Sequence, residues 1–150
     1  MRILLRQIPP PGIYPKDALR VTEVLGSVVE ALRDANVGAM THFMGVTRGR
    51  SREGKGVSFI EIESYEEHAN LRICRICEEV RIRHGLTYVG IWHLSGRFYP
   101  GEPVVVVVTA GERRRGVFEG LLEAVERYKR EPAIFKKEVF VDGTCRWVDE

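Results

Sequence analysis

The sequence predicts an α+β fold in a single domain, and three observations lead there. Val104 to Val108 is an unbroken β-branched run, as in a strand covered on both faces. Three stretches carry apolar residues at helical spacing. Between the remaining strand-like runs fall two turn signals, Pro100-Gly101 and Asp142-Gly143. Hairpins mixed with helical crossovers make the class α+β rather than α/β.

The elements follow in order. Residues 1–16 have a short apolar start, Ile3 to Leu5, and then Pro9-Pro10-Pro11-Gly12. Prolines in series continue neither a helix nor a central strand, so this reads as a first strand or arm followed by a rigid turn. Asp17 is placed to cap a helix running to about Asn36, with Ala18, Val21, Leu25, Val28 and Leu32 on one face. Asn36 and Gly38 mark its end. Ala39 to Thr47 reads as a strand. Arg48 to Gly56 is a polar, Gly-rich, basic loop, either a flexible surface hairpin loop or a binding loop for an anion or a partner.

Val57 to Glu63 reads as the returning strand. Ser64-Tyr65-Glu66-Glu67 has the pattern of a capping box and opens a second helix, ending near His84-Gly85, with Ala69, Ile73, Cys77 and Val80 as its inner stripe. Thr87 to Ser95 is a third strand, and Val104 to Val108 the buried one. Glu112 to Arg130 makes a third helix with Val117, Leu121, Leu122, Val125 and Tyr128 inward, stopped by Pro132. Ile134 to Val141 and Thr144 to Val148 form a closing hairpin around Asp142-Gly143.

Composition narrows the function classes. No apolar run reaches the roughly 18 residues of a membrane helix. Ile3 to Leu5 is too short for the core of a secretory signal. A soluble cytoplasmic protein, not a membrane one, is therefore expected. A net charge of +2 is too small to argue for nucleic acid. Its makeup says more: there are 18 arginines and five lysines, so Lys129, Lys136 and Lys137 stand out in one short stretch. Cys74 and Cys77 have CxxC spacing but no second pair or nearby histidines to complete a zinc site, and core packing is the better reading. No metal and no cofactor is called for.

Three segments carry a recognisable pattern: Phe43-Met-Gly-Val-Thr-Arg48-Gly, Gly111-Glu-Arg113-Arg114-Arg115-Gly-Val-Phe118-Glu, and Tyr128-Lys129 through Pro132 to Phe135-Lys136-Lys137-Glu138, closed by Asp142-Gly143 and Trp147-Val148. Tyr65 with Ala69, and His93 with Gly96, add to it. In order and spacing they resemble the large, catalytic subunit of molybdopterin synthase, the MoaE family. The resemblance covers roughly residues 38–148, with 1–37 as an N-terminal arm and helix in the same single domain. It implies a MoaE-type α/β-hammerhead fold with an additional, mostly antiparallel β subdomain.

The resemblance also implies chemistry: sulfur transfer to cyclic pyranopterin monophosphate, forming the dithiolene of molybdopterin. The sulfur arrives as a thiocarboxylate on the C-terminal glycine of a small ubiquitin-like (MoaD-like) partner subunit. A homodimer within a heterotetramer is the implied assembly. Lys129 and Lys136 match the family's two essential lysines. Val46, Thr47 and Arg48 match residues that line the pterin pocket. Arg113 and Arg114 match a His-Arg pair that binds the anionic substrate, with Arg113 where the family has His. Lys137 and Glu138 sit beside the second lysine.

The residue types suit that chemistry. Forked guanidinium donors suit a phosphate, as does a helix N-terminus behind Arg113 and Arg114. An amine crowded by cations and partly desolvated holds its proton less tightly and can serve as nucleophile or proton carrier. The rival class is a non-enzymatic, arginine-rich module binding nucleic acid or an acidic protein through Arg48, Arg50, Arg52 and Arg113 to Arg115. Nearly balanced acidic residues and the lack of a nucleic-acid motif weigh against it.

Overall fold

The computed structural model describes residues 7–148, so the apolar start Ile3 to Leu5 lies outside them. The elements are β1 (Gly12–Pro15), α1 (Val21–Ala31), β2 (Ala39–Val46), β3 (Val57–Ser64), α2 (Glu66–Arg83), β4 (Tyr88–Phe98), β5 (Pro103–Gly111), α3 (Arg114–Tyr128), β6 (Ile134–Phe140) and β7 (Cys145–Val148). The strands order as β2-β5-β4-β3-β6-β7, with β1 beside β4. Every pairing is antiparallel except β1 with β4.

β4 belongs to two sheets. Tyr88 to His93 pair with β5, while Gly96 to Phe98 pair with β3. Gly96 has φ +126, a conformation in which a side chain is strained, so the strand turns from one sheet into the other there. Beyond the turn, β3, β6 and β7 form the smaller antiparallel unit anticipated above.

The larger sheet is covered on both sides, which explains the unbroken valines. Val106 and Val108 pack with Val21, Val24, Val28 and Ala31 of α1. Val105 and Val107 face Ile73, Ile76 and Val80 of α2 and Val117 and Ala124 of α3. Val105 to Val108 are essentially inaccessible.

Several local expectations need correction. α1 starts at Val21, not at Asp17, and its N-cap is Arg20 without a side-chain cap. The chain before it is tied down: the Lys16 N–H donates to the Ser95 carbonyl and Ala18 closes a turn onto Pro15, leaving Ala18 exposed. The capping box at Ser64 does not form. Ser64 pairs with Ile134 in the sheet, and Tyr65 is the N-cap with no side-chain bond. β3 does not return alongside β2, which pairs with β5 alone. Leu122 points outward, 65% exposed, while Gly120 and Ala124 are buried in its place. Gly143, at φ +88, makes the expected turn between β6 and β7.

Candidate active site

The expected site residues fall in three places: Val46 to Arg48 and Lys129 toward one end of the larger sheet, Arg113 and Arg114 at the start of α3, and Lys136 to Glu138 on β6 of the smaller unit. At one end β2 finishes with a deliberate irregularity. Gly45 lies so close to β5 that a Cβ there would come within 2.5 Å of the Val105 side chain. The register then shifts between Gly45 and Val46, a device that re-aims the strand. Val46 emerges half exposed, and Thr47 is buried. The Thr47 N–H and hydroxyl both donate to the Glu102 carbonyl, at 2.9 and 3.0 Å, and the Gly101 N–H donates to the Thr47 carbonyl at 2.9 Å. Thr47 is thus bonded into the β4–β5 turn, and it is Val46 and Arg48 that face outward.

α3 ends at the same place, because it packs along β2 and runs back against β5. Its last residue, Tyr128, is buried with its ring 6.4 Å from Phe43 of β2 and 5.7 Å from His93 of β4. Lys129, the C-cap, is exposed with its amine 6.0 Å from the Tyr128 ring. His93 is buried, with Nδ1 2.9 Å from the Leu94 carbonyl. In the sequence Tyr128 counts both as an inward residue of α3 and as part of the family pattern; its contacts with Phe43 and His93 have no local signal.

A short connection leads from Lys129 to β6. Pro132 is buried, the Tyr65 N–H donates to the Ala133 carbonyl at 3.0 Å, and the Ala133 N–H donates to His68 Nδ1 at 3.3 Å. These contacts fix where β6 begins. Lys136 stands opposite Ile62 and Val148; Lys137 stands opposite Glu61 and Trp147. Adjacent strand residues face opposite sides, so the two lysines do not share a face. The Lys137 amine pairs with Glu61 at 3.3 Å and lies 5.5 Å from the Trp147 ring. Along that face Glu63, Tyr65, Phe135 and Trp147 line an open groove. Glu138 accepts from Arg146 at 2.9 Å, and Arg146 also pairs with Glu53 at 3.0 Å.

The basic loop 48–56 is anchored rather than free. Lys55 pairs with Asp142 at 2.9 Å, donates to the Thr144 hydroxyl at 2.8 Å, and lies 4.5 Å from the Phe140 ring. The Val141 N–H donates to the Gly56 carbonyl at 3.0 Å. Hydrogen bonds from Arg146 hold the Glu53 carboxyl down at about 2. Those from Thr144, then Lys55, hold Asp142 down at about 2. The loop therefore rests against the β6–β7 hairpin.

Arg113 and Arg114 occupy the other end. Arg113 is the N-cap of α3, Arg114 its first residue, and both are exposed. The first turn holds no acidic residue and the cap makes no side-chain bond. Backbone N–H groups of that turn lack intrahelical partners and favour an anion. Arg113 and Lys129 are separated by the whole helix, about 24 Å at 1.5 Å per residue. Cys77 is buried and Cys74 exposed, and both are free thiols. Burial, and secondarily Cys74, push the Cys77 thiol up to about 12.

Exposed cations thus lie at each end of α3 on a helix-covered, mostly antiparallel α+β fold. The chain belongs to the MoaE protein family, whose model matches residues 16–131. Among its relatives are proteins named molybdopterin synthase catalytic subunit. That of Rattus norvegicus is 28% identical over 136 residues, 89% of this chain and 68% of the relative. That of Rhizobium meliloti is 34% identical over 114 residues, 75% of this chain and 72% of the relative. The Drosophila grimshawi protein is 35% identical over 114 residues, but the match spans only 31% of its length. The fold matches molybdopterin synthase from Staphylococcus aureus with a TM-score of 0.81 at 21% identity, over 93% of this chain and 97% of that one. It also matches a chain of the complex of subunits 1 and 2 of molybdopterin-converting factor from Helicobacter pylori, TM-score 0.75 at 19% identity, over 93% and 90% of the two chains.

Proposed function

We propose that this chain is the catalytic subunit of a molybdopterin synthase, a sulfur-transferring enzyme of molybdenum cofactor biosynthesis. The observation that carries the reading is the packing of Tyr128, the residue before Lys129, against Phe43 of the strand that leads to Val46 and Arg48, in a chain of this family. The sulfur donor is the thiocarboxylate at the C-terminal glycine of a small ubiquitin-like partner, and the acceptor is cyclic pyranopterin monophosphate. The two-subunit Helicobacter pylori complex supports a partner of that kind.

Arg48 binds an anionic group of the precursor, with Val46 against the pterin. Lys129 and Lys136 act as nucleophile or proton carrier and electrostatic clamp, with Lys137 and Glu138 as flanking contacts. Arg113 and Arg114 bind the phosphate. Since they lie a helix length from Lys129, they serve the pocket of a second copy. This favours a homodimer, with one small partner per copy in a heterotetramer, working in the cytoplasm. The arginine-rich nucleic-acid module has no comparable support. The test is direct: purified chain, thiocarboxylated partner and precursor should yield dithiolene, and mixtures lacking any one should not.

A further inference from the structure

Lys16 is the one lysine outside the candidate site and its anchored loop, and it is held more fully than an ordinary surface cation. Its backbone N–H donates to the Ser95 carbonyl at 2.9 Å. Its amine donates to the Arg97 carbonyl at 2.7 Å and pairs with Glu102 Oε2 at 2.8 Å. It also lies 5.0 Å from the Phe98 ring and 5.6 Å from the Tyr99 ring, so aromatic faces reinforce its charge. The other carboxylate oxygen of Glu102 accepts from the Tyr99 N–H at 2.8 Å. The Glu102 side chain thus closes the β4–β5 turn, while its backbone carbonyl takes both donors of Thr47. Arg48 is the next residue.

We propose that Lys16 is a positioning residue for substrate binding: through Glu102 it fixes the turn that holds Thr47, and so the direction in which Arg48 leaves β2. This rests on the synthase reading for the role of Arg48. The chain of contacts crosses from the N-terminal arm to the β4–β5 turn to the end of β2, three segments far apart in sequence. Nothing else in the described residues ties the arm to the Arg48 end by side-chain charge. Both side chains keep about a third of their surface in solvent, 29% and 36%, so breaking the pair is expected to cost little global stability, and the melting temperature separates aim from unfolding. A displaced binding group costs affinity steeply.

The test is steady-state sulfur transfer by the complex of this chain with its thiocarboxylated partner, titrated with precursor. Lys16→Met keeps the aliphatic stem and removes the charge; Glu102→Gln keeps an acceptor for Tyr99. Each is expected to raise KM for the precursor about tenfold and leave kcat within about twofold, with melting temperatures near the parent's. In an Arg48→Ala background neither should add a further effect, because the route passes through Arg48. Unchanged KM, an effect on kcat alone, or full additivity with Arg48→Ala overturns the assignment. If the unaltered complex forms no dithiolene at all, the synthase reading itself fails and this inference goes with it.

Discussion

Arg113 and Lys129 cap the two ends of α3, about 24 Å apart along one rigid helix. No small pterin bridges that span. If both residues serve one substrate, they come from different copies of the chain. Light scattering on the isolated chain should then show a dimer, and mixing inactive variants should restore activity. Random pairing of Arg114→Ala with Lys129→Ala chains makes half the dimers mixed, each with one intact pocket, so roughly a quarter of parental activity is expected. A mixture no better than its components would place both residues in separate roles.

The anion site makes a second prediction. Arg114 is the first residue of α3, where backbone N–H groups lack intrahelical partners, whereas Arg52 lies in the loop. Arg114→Ala should weaken precursor binding by on the order of 1.5–3 kcal/mol, the worth of a charge-assisted bond. Arg52→Ala should change it little. Calorimetric titration with the precursor measures both, and equal losses would indicate a diffuse basic surface.

The thiols should divide by burial. Cys77 is buried with its thiol pushed up to about 12, while Cys74 and Cys145 are exposed. At pH 8 a thiol reagent should modify Cys74 and Cys145 quickly and reach Cys77 only after denaturation. Fast labelling of Cys77 in the native protein would contradict the packing of α2.

The anchor of loop 48–56 should fail in acid. Glu53 and Asp142 titrate at about 2 when folded, below their ordinary values of 4.5 and 3.8. A carboxylate with a depressed folded pKa adds stability that is complete above its unfolded value and fades as pH falls through the folded one. The loop–hairpin contact should therefore hold above about pH 4.5 and loosen toward pH 2. Carboxyl carbon shifts followed by NMR give the two midpoints directly, and midpoints near 4 would mean the contacts are absent in solution.

Local chemistry made much of the fold legible, and non-local pairing hid the rest. The valine run announced a doubly covered strand, and β5 is one. Asp142-Gly143 announced a turn and makes it. Asp17 has the residue type of a cap, yet α1 starts at Val21, because Lys16 is bound by Ser95 and Glu102, residues remote in sequence. Ser64 likewise has the residue type of a cap but pairs with Ile134 of β6, a partner remote in sequence. The partnership of β2 with β5 rather than β3 has no local signal at all. Within the candidate site, the family pattern names the residues but not their places in the fold. The division of Arg113 and Arg114 from Lys129 required only the length of α3, but the end to which Arg48 belongs required the sheet.

Lys129 and Lys136 are the residues proposed to perform the sulfur transfer, and an assay on single variants tests that role most directly. Lys129 is exposed at a helix end and Lys136 is partly exposed on a strand, so truncating either should leave the fold within about 0.5 kcal/mol. Circular dichroism checks that. Lys129→Ala and Lys136→Ala should each abolish or greatly reduce dithiolene formation. Lys136→Arg should rescue only partly, since a guanidinium keeps its proton at neutral pH. Lys137→Ala should cost less, because its amine lies on the opposite face with Glu61 and Trp147. Near-normal turnover in both Lys129→Ala and Lys136→Ala would contradict the catalytic assignment and leave only the fold and the family.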